Sequence, residues 1–170
     1  IRASEKQFYR KITEIYSLAV DYDPNAEITH EFYASVQNKL HWAITGHTAA
    51  ELIAERASAV KPNMGLTNWK GKKVRQADVT VAKNYLAEDE LRSLNRIVTM
   101  YLDYAEDQAE RHQPMYMRDW AQKLDAFLQF NGREVLRDAG RVSAEVAKTL
   151  ALLEYEKYNT ARLEREVSQP

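Results

Sequence analysis

Positive charge is concentrated between residues 61 and 75, a stretch that contains no acidic side chain. Its charged residues are Lys61, Lys70, Lys72, Lys73 and Arg75, and Trp69 lies among them. Lysine and arginine contact phosphate groups, and an indole ring offers a face on which a nucleic-acid base can stack. Because the whole chain has a formal net charge of −1, the cluster is a local feature. We call residues 61–75 the basic segment; it predicts nucleic-acid contact, with a solvated surface loop as the alternative.

A histidine on a predicted helix is a second candidate for chemistry. Asn38 and Thr45 share a helical face with His41, and an imidazole can act as a general acid or base. The structural alternative is a histidine whose polar atoms are satisfied within the core or at the surface. The sequence leaves both interpretations open.

The remaining polar candidates lie just before and on a predicted long helix: Lys83, Asn84, Asn95 and Arg96. Lys83 and Asn84 could face the basic segment. If the chain is an enzyme, Lys70, Lys83 and Arg96 would stabilise negative charge that develops beside His41. The alternative for Arg96 is a solvated helix face.

Recognised catalytic and metal-binding patterns are missing. The chain has no cysteine, which excludes disulfides, thiolate zinc sites and cysteine nucleophiles. His30 and Glu31 begin like a zinc-protease signature, but Ala34 occupies the position of the second histidine. Gly65 and Gly71 fit neither the phosphate-loop nor the dinucleotide pattern. We predict no metal site and no cofactor.

The length indicates one domain, and the absence of cysteine fits an expected cytoplasmic location. A chain of 170 residues is the size of a single domain. No apolar run approaches the ~20 residues that cross a bilayer, and no signal-peptide pattern opens the chain, so no membrane role is expected. The chain starts at Ile1 instead of a methionine, which suggests a piece of a longer protein.

Apolar residues recur with helical spacing between Gly and Pro positions, so the expected fold is an all-α bundle of six or seven helices. The bundle would carry one long irregular basic loop and a long C-terminal helix. The predicted helices run from Ser4 to before Asp23, over about Ile28 to Thr45, from Thr48 to before Pro62, from Asp78 to Leu86, from about Glu88 to Arg111, around Trp120 to Leu128, and from Ser143 onward.

Three local signals support these boundaries. Thr48 and Glu51 form a capping box, and Gly46 suits a left-handed C-terminal cap. The last helix is expected to bury an apolar face made of Val146, Ala147, Leu150, Leu153 and Leu163. Beyond about Glu154 that helix becomes highly charged, so a homodimer through it is a hypothesis.

Several of these segments together resemble the RhuM family of virulence-associated bacterial proteins. The matching stretches are DYDP at 21–24, VQNKLHWAITG at 36–46, TAAELIAERA at 48–57, KPNMGLTNWKG at 61–71, DVTVAKNYL at 78–86, LNRIV at 94–98, YLDYA at 101–105 and VSAEVA at 142–147. The resemblance spans nearly the whole chain. It implies that residues 1–170 form a C-terminal domain whose N-terminal DNA-binding-like module is missing here. It implies no settled biochemical activity.

The leading hypothesis is therefore a helical accessory or effector domain of a DNA-associated bacterial protein, in contact with nucleic acid through the basic segment. One alternative is a toxin-like nuclease or transferase that acts on a phosphate-bearing substrate. Another is a protein-interaction module without a ligand. The sequence does not decide whether the chain is an enzyme.

Overall fold

The computed structural model describes residues 10, 13, 17, 19–23, 25–111, 115–138 and 140–168. Within these residues the regular structure is entirely helical, which confirms the predicted all-α class. This part of the chain contains five α-helices, so the predicted count of six or seven is not confirmed. Most of the predicted first helix, which begins at Ser4, lies outside the described residues. The helices are α1 (Glu27–Thr45), α2 (Ala49–Arg56), α3 (Glu88–Glu110), α4 (Met117–Phe130) and α5 (Ala144–Ser168).

Two short turns of 3₁₀ type, Pro62–Gly65 and Ala82–Tyr85, lie between α2 and α3. The predicted short α-helix from Asp78 to Leu86 is wrong, because only a 3₁₀ turn forms in its second half. The Asp78 carboxylate accepts hydrogen bonds from N–H groups that precede it in the chain instead of capping a helix. An aspartate able to cap a helix can equally organise a loop.

The chain divides into two compact units. The first unit comprises Ile1–Thr45 and Arg92–Arg137, and the second unit comprises Gly46–Leu91 and Asp138–Pro170. The single domain expected from chain length stays a prediction.

In the first unit, α1 packs against α4. Val36 of α1 and Trp120 of α4 are buried, and the Lys39 ammonium lies 2.6 Å from a carboxylate oxygen of Asp125. Leu94, Tyr101, Leu102 and Ala105 of α3 are buried and recur at helical spacing. The core of this unit is thus built from the helical faces that the apolar spacing indicated.

In the second unit, α2 begins at the predicted capping box. Thr48 Oγ1 accepts a hydrogen bond from the Glu51 N–H at 3.2 Å, and Glu51 Oε1 accepts one from the Thr48 N–H at 3.0 Å. Glu51 Oε2 accepts a third hydrogen bond, from the N–H of Arg141, at 2.8 Å. Burial raises the pKa of Glu51, but these backbone hydrogen bonds outweigh it and hold the pKa below its ordinary value. Glu51 therefore connects α2 to the residues that lead into α5.

The long helix α5 begins after Ser143, as predicted, and packs against α2. Its predicted inward face is only partly correct, because Val146, Leu153 and Leu163 are 59, 54 and 52% exposed. The buried side chains of α5 are Ala147, Ala151 and Tyr158. Alanine allows close approach between helices, so α5 buries its small residues and leaves larger aliphatic ones in solvent.

Candidate nucleic-acid interface

Buried apolar side chains anchor the basic segment in the second unit. Met64 and Leu66, near its start, are 0 and 5% exposed, and Val74, near its end, is 1% exposed. Val79, just beyond the segment, is 0% exposed. Burial of each such side chain contributes about 1.5–3 kcal/mol of stability. The basic segment is therefore anchored to the core near both of its ends.

A buried carboxylate organises the part of the segment that carries most of the cations. Asp78 is 5% exposed, and its Oδ1 accepts a hydrogen bond from the Lys70 N–H at 3.2 Å. Its Oδ2 accepts a second one from the Arg75 N–H at 2.8 Å. Both ends of the 70–75 turn are thus attached to one side chain. Asp78 was expected to begin a helix, and its contribution to the basic segment was missed.

Two further polar residues join the basic segment to the 82–85 turn. The carbonyl oxygen of Asn84 accepts hydrogen bonds from the Thr67 N–H at 2.8 Å and from Thr67 Oγ1 at 3.1 Å. The Asn84 amide nitrogen donates to the carbonyl oxygen of Asp78 at 2.9 Å. Asn84 is buried, whereas the neighbouring Lys83 is half-buried. The structure therefore gives Asn84 a supporting position beneath the basic segment.

The beginning of the basic segment is a left-handed turn. Asn63, Met64 and Gly65 have φ angles of 53, 60 and 86°. The Ser58 N–H donates to the Met64 carbonyl oxygen at 3.1 Å, which holds this turn close to the end of α2. A Cβ atom on Gly65 would collide with the carbonyl oxygen of Arg56. Glycine is therefore required at position 65 by both backbone conformation and space.

The cations themselves face solvent. All five basic side chains of the segment are exposed: Lys61, Lys70, Lys72, Lys73 and Arg75. Trp69, which precedes Lys70 in the chain, is half-buried. The Lys61 ammonium donates to the Arg56 carbonyl oxygen at 3.4 Å. The Lys73 ammonium lies 2.8 Å from a carboxylate oxygen of Glu166, with the two side chains 64 and 47% exposed. An ion pair so exposed contributes little stability, so it can exchange for another anion.

The last helix supports the basic segment from its C-terminal half. Arg162 Nη1 donates to the Val74 carbonyl oxygen at 3.1 Å, and its guanidinium lies 5.2 Å from the centre of the Tyr158 ring. Hydrogen bonding to Lys73 lowers the pKa of Glu166. These contacts were not predicted from the sequence. The four-residue spacing of Tyr158 and Arg162 on one helix is the signal that indicates their pairing.

The remaining candidates lie in the first unit. His41 is 4% exposed, and its carbonyl oxygen accepts a hydrogen bond from Thr45 Oγ1 at 2.8 Å. Asn95 is half-buried and Arg96 is exposed on α3. The lysines proposed to act with His41 belong to the second unit. Neither unit alone contains the whole catalytic set of the enzyme hypothesis.

An ion pair connects α2 to the first turn of α3 within the second unit. Arg56 donates two hydrogen bonds to the Glu90 carboxylate, at 2.6 and 2.9 Å, and one to the Tyr85 carbonyl oxygen at 3.0 Å. These hydrogen bonds to Glu90 raise the pKa of Arg56, and the same bonds lower the pKa of Glu90 although burial acts in the opposite direction. The Ala87 N–H also donates to Glu90. Arg56 therefore joins α2 to the 82–85 turn and to the first turn of α3.

The Arg56–Glu90 pair should make the second unit sensitive to acid. A carboxylate whose pKa is lowered by folding contributes stability above its unfolded pKa of about 4.3 and loses it as pH falls through the folded pKa. At pH 7 we expect Glu90→Gln to reduce the free energy of unfolding by about 1–3 kcal/mol. Below the folded pKa the variant and the parent chain should converge. Urea denaturation between pH 7 and pH 3 measures this, with exposed Glu156→Gln as the control. A loss that is constant with pH would contradict the assignment.

The described part of the chain was compared with what a membrane-spanning helix and a metal site require. No helix there combines the length and apolar character needed to cross a membrane. The His, Asp and Glu residues there form no group of three or more that could hold a metal ion.

The fold and this interface define an all-α protein that displays an anchored cationic segment on one of its units. The model of the Virulence protein RhuM family matches residues 1–166. The chain therefore belongs to the RhuM family of virulence-related proteins, which confirms the resemblance seen in the sequence. No curated protein and no solved structure was found to match it.

Proposed function

We propose that this chain is an accessory domain that binds nucleic acid through the phosphate backbone, using the basic segment. The observation that carries the proposal is the exposure of five cations on a backbone held by buried side chains. A segment that is ordered before binding loses less conformational entropy on binding than a disordered one. The cations are thus presented in an arrangement that favours a polyanion.

The balance of charged residues in and just after the basic segment also favours nucleic acid as the partner. From residue 61 to residue 87 the chain has six basic side chains and a single acidic one, Asp78. That carboxylate is buried and accepts hydrogen bonds from backbone N–H groups. Residues 61–87 therefore have an excess of positive charge although the chain as a whole is slightly negative. Contact with phosphates would release counterions, so binding should weaken as salt concentration rises.

Trp69 adds a second mode of contact. Its ring is half-buried and lies next to Lys70 in the chain. A base of an unpaired strand could stack on the accessible part of the indole while neighbouring cations hold the phosphates. Comparison of single-stranded and duplex ligands of equal length therefore belongs in the test.

Removal of three cations that pair with no acidic side chain in the described structure tests the proposal. In the triple variant Lys70→Ala, Lys72→Ala, Arg75→Ala we expect affinity for nucleic acid to fall at least tenfold at low salt. The slope of log affinity against log salt should flatten by up to about 2.7, since each lost phosphate contact removes roughly 0.9. Fluorescence anisotropy with labelled DNA and RNA across a salt series measures both quantities.

The matched control removes the same charge elsewhere. Arg118, Arg137 and Lys148 are exposed and lie outside the basic segment. Their triple alanine variant should bind almost as tightly as the parent chain, because the effect depends on location and only weakly on net charge. Equal loss in the two triple variants, or no loss in either, would refute the assignment of the interface.

A further inference from the structure

An open groove lies between the end of α3 and α4, and both of its walls belong to the first unit. Its volume of about 580 Å³ falls within the range of roughly 300–1,000 Å³ that is common for small-molecule sites. One wall presents Tyr104, Gln108 and Arg111, whose spacing of four and three residues places them on one helical face. The wall formed by α4 presents Gln122 and Lys123. Polar side chains from two helices thus face one space.

Most of these polar side chains have no partner within the protein. In the part of the chain that the structure describes, the side chains of Tyr104, Gln108, Gln122 and Lys123 form no hydrogen bond and no ion pair. Tyr104, Gln108 and Lys123 are nevertheless half-buried. Polar groups that are partly removed from water are normally hydrogen-bonded, so the donors in this groove remain for water or a ligand.

The charges around the groove favour an anion. Lys123 and Arg111 are basic, and Asp119 is the one acidic residue in the described lining. Oδ2 of Asp119 already accepts a hydrogen bond from the Tyr116 N–H at 2.8 Å, at the start of α4. Arg111 lies 3.3 Å from a carboxylate oxygen of Asp107, in a pair whose side chains are 65 and 55% exposed. Such a pair contributes little stability, so Arg111 can turn to another anion.

The groove also has an aromatic wall. The Tyr104 ring stacks on Phe127, with 5.9 Å between the ring centres and 24° between the ring planes. Phe127 in turn contacts the buried Tyr101, with 5.6 Å between the ring centres. These contacts hold the Tyr104 ring in place. Met115, which is 6% exposed, adds an apolar side chain to the lining. A planar apolar group can therefore pack beside the donors and cations.

We propose that this groove binds a small organic anion with a planar body, of the class of aryl carboxylates and aryl phosphates. Lys123 and Arg111 would pair with the anionic group, and the planar body would lie against Tyr104. The stripe from Tyr104 to Arg111 is about 11 Å long, at roughly 1.5 Å per residue, which suits one such molecule. The site belongs to the first unit and does not depend on the function proposed for the basic segment.

Four probes separate the contributions of charge and ring. Benzoate and phenyl phosphate carry both, benzamide carries the ring alone, and inorganic phosphate carries the charge alone. In titrations followed by NMR, the amide signals of residues 104–111 and 115–126 should shift and saturate with either aryl anion. We expect dissociation constants of about 0.1–3 mM, since each ligand has only about ten non-hydrogen atoms.

The comparison between probes decides the outcome. Benzamide and inorganic phosphate should bind about tenfold more weakly than the aryl anions, because each lacks one of the two contacts. The tighter of benzoate and phenyl phosphate identifies the preferred anionic group. Equal binding of inorganic phosphate and the aryl anions would reduce the groove to a nonspecific charged surface and overturn the proposal. So would the lack of a saturable shift with both aryl anions.

Substitutions assign the binding to the groove. Lys123→Gln should weaken binding of the aryl anions about tenfold or more, the loss expected for a charge-assisted hydrogen bond. Lys123→Arg should keep most of the affinity because it keeps the charge. Tyr104→Leu should weaken the aryl anions and leave inorganic phosphate unchanged. Arg118→Gln is the matched control, because Arg118 is exposed on the same helix and lies outside the lining. Thermal unfolding checks that each variant is folded, and equal losses in Lys123→Gln and Arg118→Gln would refute the site.

Discussion

Replacement of Gly65 by alanine should reduce the free energy of unfolding of the second unit by about 3–5 kcal/mol. Two costs add at this position. The φ angle of 86° lies in the left-handed region, which any Cβ atom disfavours. The new methyl group would also meet the carbonyl oxygen of Arg56, which is a backbone atom that a rotamer change cannot move. The turn would have to shift away from the end of α2.

Gly46→Ala is the matched control for this prediction. Gly46 has a similar φ angle of 75° and belongs to the same unit, but a Cβ atom added there would meet nothing within 4 Å. Its alanine variant should lose only about 1–2 kcal/mol, the conformational cost alone. Urea denaturation gives both values, and hydrogen exchange should show faster opening of residues 58–66 in Gly65→Ala. Equal losses in the two variants would show that steric contact at Gly65 is unimportant.

Replacement of Asp78 by alanine is the second change with a large expected effect. It leaves the N–H groups of Lys70 and Arg75 without the carboxylate that accepts their hydrogen bonds. Hydrogen bonds to a charged group contribute about 1.5–3 kcal/mol each, so we expect a loss of about 2–4 kcal/mol. Asp78→Asn, which keeps one acceptor oxygen, should lose less. Urea denaturation of the two variants measures the difference.

Nucleic-acid binding by the Asp78→Ala variant tests whether affinity depends on the anchoring of the 70–75 turn or on net charge. The substitution makes the unit more positive by one charge, yet it releases the turn that presents the cations. We expect affinity to fall, because an unanchored segment must be ordered on binding. Glu166→Gln makes the same change in charge without touching the anchor, and it frees Lys73 from its ion pair. That variant should bind more tightly. If both variants tighten binding equally, net charge alone governs the interaction.

Local interactions explain why much of the fold could be predicted. The capping box of Thr48 and Glu51, the left-handed cap at Gly46 and the start of α5 at Ser143 all depend on residues within a few positions of one another. Such contacts form in any context in which the helix forms, so they can be read from spacing alone. The predicted helix at Asp78 failed because its carboxylate turned to Lys70, eight residues earlier.

The sequence predicted which residues supply the positive charge of the candidate interface, but it did not predict the contacts that hold the basic segment in place. The concentration of cations in residues 61–75 is a property of the sequence, and their exposure follows from their charge. The hydrogen bond between Thr67 and Asn84 and the one between Arg162 and the Val74 carbonyl oxygen join partners 17 and 88 residues apart. No spacing rule reaches that far, because the chain between the partners can take many paths.

By itself the sequence determined the all-α class, most helix limits, the family resemblance and the location of positive charge, since each is set by side-chain chemistry or short-range spacing. Tertiary structure alone decided which face of α5 is buried. Ala147 and Ala151 allow α2 to approach closely, so Val146 and Leu153 remain in solvent although they are more apolar. Hydrophobicity selects which residues favour burial, whereas the space between packed helices selects which of them achieve it.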